Sequence, residues 1–441
     1  MSAASPGSAA LSREAARRLD AADPLAAFRQ EFSLPAHGAH GPAVYLCGHS
    51  LGLAPNAAAA QVERELRDWR RLAVLGHESA ERPWIGYAEL LTPALAGLCG
   101  AQEAEVAAMS SLSVNLHLLL AALFRPGGER RRVLIESGAF ASDRHVVASQ
   151  LRWHGLDPVA DLVELAPRAG EELLRIEDIE ARIAAEGSRL ALVLWPGVQF
   201  RTGQAFDLAR IARATRAAGA LLCADLAHAI GNVPLALHDA DVDCAAWCSY
   251  KYLNGGPGAI GGLFVHARHH ATVAHQGLQG WWGHAGATRF RMGAEFLPAA
   301  GAAALALSNP PVLSTAPLLA SLEQFQRAGL PALRAKSIHL TGWLEAQLHE
   351  RCGTALQLLT GSDPQERGAQ LSLRVRGGRA HAHAVFASLQ PAGLIADWRE
   401  PDIIRLAPAP LYNGYEDCLR AAELLAAALA AQGPSPVAEP S

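Results

Sequence analysis

The sequence predicts an α/β fold in which a mostly parallel sheet is flanked by helices and followed by a smaller α+β domain. Three observations carry that reading. Short β-rich apolar runs alternate with amphipathic helical patterns through the middle of the chain. After Asn309-Pro310-Pro311 the pattern changes to long helical segments. At 441 residues the chain also exceeds what one hydrophobic core serves well.

Taken in order, residues 132–135, 190–194, 220–224, 244–248 and 262–265 read as strands. Between the second and third, Asp207 stands as an N-cap before Leu208, Ile211, Ala212 and Thr215 at helical spacing, and Gly219 ends the turn. That is one βαβ crossover. Residues 316–328 and 332–351 read as helices, 370–375 and 403–406 as strands, and the Ala-rich 416–431 as a last helix. The expected organisation is a large domain over 61–312, a small domain over 313–433 to which 1–60 contributes, and a tail over 434–441. The Pro-, Ser- and Ala-rich ends, 1–7 and 433–441, read as disordered.

Composition narrows the function classes. Apolar runs such as 116–124 are too short or too interrupted to span a bilayer, and residues 2–10 lack the basic and apolar regions of a secretory signal. A cytoplasmic protein with no membrane association is expected. Seven cysteines (Cys47, Cys99, Cys223, Cys244, Cys248, Cys352, Cys418) form no CxxC pair, which suits reduced structural thiols. A net charge of -4, mixed along the chain, leaves no footprint for nucleic acid and favours a small-molecule partner.

The chemistry gathers at strand ends. Asp225, in Ala224-Asp225-Leu226-Ala227-His228, follows an apolar strand, where α/β sheets bind ligands. A buried carboxylate there wants a positive partner such as a protonated pyridine nitrogen; alternatively it caps the next turn. Lys251, in Ser249-Tyr250-Lys251-Tyr252-Leu253-Asn254-Gly255-Gly256, ends another strand before a glycine-rich loop, as a Schiff-base lysine would. A solvated lysine is the alternative, and the pairing with Asp225 argues against it. Leu112 and Ser113 open a helical pattern whose free N–H groups could hold a phosphate, Ser113 serving otherwise as a plain N-cap. Phe140, beyond the strand 132–135, could stack on a pyridine face or fill core.

Several motifs together resemble the kynureninase family, within the class V aminotransferase-like group of pyridoxal-phosphate (PLP) fold type I enzymes. They are Tyr45-Leu46-Cys47-Gly48-His49-Ser50-Leu51-Gly52-Leu53, Arg82-Pro83-Trp84, Val114-Asn115-Leu116-His117, Cys248-Ser249-Tyr250-Lys251-Tyr252-Leu253-Asn254, Gly280-Trp281-Trp282-Gly283-His284, Arg289-Phe290 and Ser308-Asn309-Pro310-Pro311. The resemblance runs from about Tyr45 to Asn413. It implies a mostly parallel sheet of the seven-stranded type, PLP as cofactor, and a homodimer. The implied reaction is hydrolytic Cβ–Cγ cleavage of L-kynurenine or 3-hydroxy-L-kynurenine, to anthranilate or 3-hydroxyanthranilate and L-alanine, in tryptophan catabolism or NAD biosynthesis.

The resemblance also assigns roles. Lys251 is the implied covalent anchor and Cα base, Asp225 the pyridinium partner with His228 nearby, and Phe140 the stacking ring. Leu112, Ser113, Tyr250 and Trp281 match phosphate-binding positions, Tyr250 also a proton donor or acceptor, and Asp143 an acidic cofactor neighbour. Arg405 matches the arginine that holds the substrate α-carboxylate, while His77, Ser308 and Asn309 match the aryl end. The chain departs from the family pattern at His49, where asparagine is usual, at Ser113 in place of threonine, and at Arg201, where an aromatic side chain is common.

Two other classes compete. A cysteine desulfurase or selenocysteine lyase would share Asp225, His228 and Lys251 but needs a reactive cysteine on a loop, whereas Cys352 ends a helical pattern and Cys418 lies within one. A non-catalytic PLP-binding regulator would carry a basic DNA-binding module, for which the residues before Tyr45 are too few. His266, His269, His270 and His275, with no acidic or thiol ligand interleaved, read as a solvated surface run, so no metal is expected.

Overall fold

The computed structural model describes residues 11–37 and 41–433, which fall into two compact units. The chain ends expected to be disordered lie outside the described residues, apart from Gly433. One unit comprises residues 57–199 and 205–323; the other comprises the chain up to 56, residues 200–204 and the chain from 324 onward.

The first unit is built on a seven-stranded sheet. Its strands are β1 (Val106–Ala108), β2 (Arg132–Glu136), β3 (Leu162–Leu165), β4 (Leu190–Pro196), β5 (Leu221–Asp225), β6 (Cys244–Trp247) and β7 (Gly262–Val265). They lie in the order β1-β7-β6-β5-β4-β2-β3. From β3 to β6 all pairings are parallel, and β7 runs antiparallel to both β6 and β1. β4, inside the sheet between β5 and β2, is buried at every position, as a strand covered on both faces must be.

Helices α1 (Leu112–Leu123), α2 (Ala141–Trp153), α3 (Ile176–Glu186) and α4 (Leu208–Ala217) belong to this unit. α1 is apolar almost all round, and its Leu116, Leu119 and Leu120 share one core with Val133, Ile135, Leu192 and Leu194 of the sheet. Each such leucine contributes about 1.5–3 kcal/mol by leaving water. The buried Asn115 of α1 donates to the carbonyls of Met109 (2.8 Å) and Gly262 (3.2 Å), which ties the start of the helix to the sheet. α4 starts as its sequence requires: the Asp207 carboxylate accepts from the backbone N–H of Arg210 at 3.0 Å, and Leu208, Ile211, Ala212 and Thr215 are buried. Gly219 then turns the chain at φ +70, where a Cβ would also meet the Arg130 guanidinium at 3.0 Å.

In the second unit, β8 (Leu356–Leu358), β9 (Leu371–Val375), β10 (Asp397–Arg399) and β11 (Ile403–Leu406) form an antiparallel sheet in the order β8-β9-β11-β10. α5 (Val312–Ala328) enters this unit at its end, followed by α6 (Leu330–Cys352), α7 (Gly378–Leu389) and α8 (Tyr415–Ala431). Leu340, Leu344 and Leu348 of α6 and Leu419 and Leu425 of α8 close a core over Leu371, Leu373, Ile404 and Leu406. The helix Arg13–Ala22 fastens here too. Its Asp20 carboxylate accepts from the backbone N–H groups of Tyr415 (2.7 Å) and Glu416 (3.0 Å), capping α8 from outside, while Asp23 pairs with the buried Lys336 ammonium at 2.6 Å.

Three expectations are corrected. Asp225 is the last residue of β5, not a residue beyond it. Ser113 is inside α1, whose N-cap is Ser111, and the Ser111 side chain makes no capping hydrogen bond. The histidine run is solvated only in part: His266 is buried and His269 sits 2.7 Å from the Asp243 carboxylate, while His275 is exposed. All seven cysteines are buried free thiols. Among the described residues no helix is long and apolar enough to cross a membrane.

Candidate active site

Parallel strands of one sheet deliver their carboxyl ends to a common edge, and here that edge is acidic. Glu136 ends β2 and Asp225 ends β5, with β4 between them, and both side chains are buried. Asp143, in the first turn of α2, is buried as well. Three carboxyl groups cannot all ionise in so dry a place.

Their partners differ. Burial leaves Asp225 above the ordinary carboxylate range, although the Lys251 ammonium, a 2.7 Å hydrogen bond from the Ala227 N–H and a hydrogen bond with Asp143 all oppose that rise and favour its anion. Asp143 goes up strongly through burial and the adjoining Asp225 charge, so it keeps its proton and donates to Asp225. Glu136 is pushed up to about 8 by burial, eased by the Gln199 amide, which donates to it at 3.3 Å. Asp225 thus accepts from the Ala227 N–H of the following turn and has the Lys251 ammonium as its charged neighbour.

Lys251 faces two rings. Its Nζ lies 5.8 Å from the Phe140 ring centroid and 5.8 Å from that of Tyr250. Phe140, the N-cap residue of α2, is 41% exposed, which leaves a ring surface open beside the lysine. Tyr250 shares a hydrogen bond with the buried Cys248 thiol, and burial raises both groups so that each holds its proton at neutral pH. His228 is buried and packs edge-on against Tyr252 at 6.3 Å.

Leu112 and Ser113 form the first turn of α1, both half-buried. Trp281 is 48% exposed, and its indole N–H is spent on the Arg289 carbonyl at 3.2 Å. His77 and Asn309 face a common space: with Glu65, Trp69, Trp84 and Trp282 they line a cavity of about 500 Å³. His77 stacks edge-on with Trp84, and Ser308, exposed, stands outside that lining. The buried Glu65 holds this wall by accepting from Trp84 Nε1 (2.8 Å) and the Tyr87 hydroxyl (2.9 Å).

Arg405 belongs to the second unit, where it is 1% exposed. Asp397 receives its Nε (3.1 Å) and Nη2 (2.8 Å), and the Phe200 carbonyl accepts from its Nη1. The fork is thus held rigid by a carboxylate of the same unit. Of His49, Nε2 lies 3.9 Å from the same Asp397.

Sequence reading missed Glu136, Gln199, Cys248, Glu65, Trp84, Trp282 and Asp397 as contributors. Glu136 had a usable signal, a carboxylate closing an apolar strand just as Asp225 does. Glu65 had none, because its partners Trp84 and Tyr87 are distant along the chain, whereas Asp397 lies on the strand beside Arg405 and directly opposite it.

The comparisons with known proteins follow the same line. Residues 333–425 match the family model for the kynureninase C-terminal domain. A kynureninase of Xanthomonas campestris pv. campestris (strain B100) is 56% identical over 408 residues, covering 92% of this chain and 96% of the relative. One of Xanthomonas axonopodis pv. citri (strain 306) is 55% identical over 407 residues, with the same coverage of both chains. Among solved structures, the cystine C-S lyase C-DES in complex with its product cysteine persulfide matches with a TM-score of 0.74 at 18% identity, over 87% of this chain and 97% of that one. The cysteine desulfurase CsdA of Escherichia coli matches with a TM-score of 0.71 at 18% identity, over 92% and 98%. Those two likenesses speak to fold alone. The identity and near-complete coverage of the Xanthomonas relatives go further, and on them the chain belongs to the kynureninase family.

Proposed function

We propose that the chain is a PLP-dependent hydrolase that cleaves the Cβ–Cγ bond of L-kynurenine, and of 3-hydroxy-L-kynurenine, to release anthranilate or 3-hydroxyanthranilate and L-alanine. The observation that carries the reading is the buried Asp225 carboxylate, charged against the Lys251 ammonium beside an exposed aromatic ring. The residues fit PLP in kind. Lys251 offers an amine to its aldehyde, Asp225 an anion to its pyridinium, and Phe140 a face to its ring. α1 offers a positive end with an unfilled cap and the Ser113 hydroxyl to its phosphate.

When bound, the cofactor supplies a carbonyl carbon for the substrate amine and a ring that withdraws electrons from the substrate's α-carbon. Asp225 keeps that ring electron-poor by holding a proton at the pyridine nitrogen, and Asp143 steadies Asp225 with its own proton. Lys251, freed from its anchoring role, removes the proton at the substrate Cα. Water adds at the γ-carbonyl carbon, and collapse of the adduct expels the aryl acid. Tyr250, which burial keeps protonated, holds the proton that Cβ then needs. His77 and Asn309 line a cavity suited to an aryl group, with Ser308 beside them, and Arg405 is the proposed partner of the α-carboxylate on the chemistry of its guanidinium fork.

The desulfurase alternative finds no support in the thiols. Cys352 and Cys418 are buried at helix positions and raised by burial, Cys352 to about 11, so neither offers the exposed thiolate such chemistry needs. A homodimer is proposed from the apolar side chains left in water, including Trp69 (59%), Val74 (74%) and Leu75 (64%). A cytoplasmic setting and a place in tryptophan catabolism or NAD biosynthesis complete the proposal, supported by the free thiols and by the substrate respectively.

Incubating PLP-loaded protein with each substrate, while following anthranilate fluorescence and alanine, tests the reading. Equimolar aryl acid and alanine are expected. Alanine released from cysteine with sulfide, and none from kynurenine, would replace it.

A further inference from the structure

Away from the site just described, the first unit gathers Glu105, His238 and His266 from three separate stretches of chain. Glu105 immediately precedes β1, His238 lies between β5 and β6, and His266 follows β7. One ligand atom from each lies within 4.8 Å of the others. Glu105 Oε1 is 2.9 Å from His238 Nδ1 and 3.8 Å from His266 Nδ1. Donor atoms around a tetrahedral zinc ion, each about 2.0–2.2 Å from the metal, stand about 3.3 Å apart, so the observed separations bracket what the ion requires.

The outer partners are also those of a metal site. His266 Nδ1 accepts from the backbone N–H of Arg268 at 3.2 Å, which leaves that nitrogen without a proton. Its Nε2 then faces Asp241 at 3.6 Å, the arrangement in which a carboxylate orients a metal-ligating imidazole. His238 Nε2 has the Gln102 amide at 3.3 Å. Glu105 is fully buried; its second oxygen is fixed by the Gln102 N–H at 2.9 Å, and its ligand oxygen accepts from the Ala267 N–H at 2.8 Å, which occupies one lone pair and leaves the one now turned to His238 for an ion. Arg268 adds no net charge against a cation, being paired with both Asp241 (3.1 Å) and Asp243 (2.6 Å).

We propose that Glu105, His238 and His266 form a binding site for a divalent transition-metal ion of the zinc class, with three protein ligands and a position left open to water. Capture replaces the proton between His238 Nδ1 and Glu105, which passes to solvent, and displaces the Arg268 N–H from His266. The two imidazoles stack at 4.9 Å with 13° between their planes, so one must turn for both lone pairs to meet the ion. His238, with 32% of its side chain exposed, has the freedom to do so. A bound ion would pin the segments flanking β1, β6 and β7 together at one edge of the sheet.

Among the described residues a second trio, Cys47, His49 and Asp397, serves as a contrast. Its carboxylate is already held by two guanidinium groups, Arg405 at 2.8 Å and Arg399 at 3.3 Å, which disfavour a cation.

The test is calorimetric titration of chelator-washed holoenzyme with Zn2+, alongside the visible spectrum of the Co2+-loaded protein. Saturable binding of a single equivalent, with the d–d bands of a low-coordinate nitrogen–oxygen site and a rise in Tm, is expected. His238→Gln and Glu105→Gln should each weaken binding by more than about 100-fold, and Asp241→Asn by about 10–100-fold. His238→Gln leaves an amide to donate to Glu105, and the metal-free Tm of each variant, measured alongside, separates lost binding from a lost fold. Absence of saturable binding overturns the proposal, as does binding that survives both substitutions or that is lost instead in Cys47→Ser.

Discussion

Replacing Glu136 with glutamine should change how the protein's stability depends on pH, in a direction fixed by the burial of that carboxyl. In the folded chain Glu136 holds its proton up to about 8, against 4.5 for an ordinary glutamate. Between those values the native state binds a proton that the unfolded chain has released. Stability from this group is therefore full below pH 4.5 and is lost as pH rises towards 8. One proton corresponds to a slope of about 1.4 kcal/mol per pH unit, so the loss across the window is at most about 5 kcal/mol, and on the order of 2–3 kcal/mol once local relaxation is allowed. Glu136→Gln has nearly the same shape, keeps an oxygen for the Gln199 amide at 3.3 Å, and has no proton to lose. Urea unfolding midpoints at a series of pH values, for wild type and variant, give the two slopes. The variant should show the flatter curve between pH 5 and 8 and the greater stability at the upper end. Parallel curves would mean that Glu136 titrates like an exposed glutamate and that the strand-end site is wetter than its burial indicates.

Asp225→Asn keeps the hydrogen bond from the Ala227 N–H and so should fold normally, yet lose most turnover because a carboxamide cannot hold a pyridinium proton; near-normal kcat would reduce Asp225 to a turn cap. Borohydride reduction of the holoenzyme should leave the phosphopyridoxyl group on Lys251, and mass spectrometry finding it on Lys336 would sink the assignment. Lys336→Met strands the Asp23 carboxylate, 5% exposed, without its 2.6 Å partner and should cost about 3–5 kcal/mol of stability; a loss below 1 kcal/mol would show that the pair is open to water. His77→Ala and Asn309→Ala should change the ratio of kcat/KM for kynurenine and 3-hydroxykynurenine, whereas an equal fall for both substrates would remove these residues from recognition of the ring hydroxyl.

The relation between sequence and site is uneven for a reason visible in particular residues. Asp225 and Lys251 could be found because each sits where an apolar strand stops, and a charge at such a boundary is conspicuous. Glu136 sits at the same kind of boundary, but the apolar run by itself ends at Ile135, one residue before the strand does, and leaves the glutamate looking like loop. For Ser111 and Ser113 the pattern offered two serines at a helix start, and only the backbone distinguishes the N-cap from the second helical residue. Glu105 and His238 could not be joined to His266 at all. Their sequence separations exceed anything a local pattern carries, and the acidic neighbour of His266 comes from the start of the adjoining edge strand β1.

The strands that escaped detection make the same point about physics. In the large sheet the sequence announces β2, β4, β5, β6 and β7 but neither β1 nor β3; in the small sheet it announces β9 and β11 but neither β8 nor β10. All four missing strands are edge strands. A central strand is covered on both faces and paired on both sides, so it must be apolar throughout, as Leu190–Pro196 is, and that run stands out in any window. An edge strand needs only one neighbour and partial cover. Leu162–Leu165 alternates buried Val163 with exposed Glu164, and Leu356–Leu358 has no fully buried residue, whereas Val106–Ala108 is buried throughout and escapes because so short a run with two alanines makes no apolar signal. Because ligands bind at the carboxyl ends of the central parallel strands, the part of the fold written most plainly in the sequence is the part that carries the chemistry. The edges, which the sequence leaves faint, are where β1 and the histidine–glutamate cluster lie, and a function placed there could be recovered only from the folded chain.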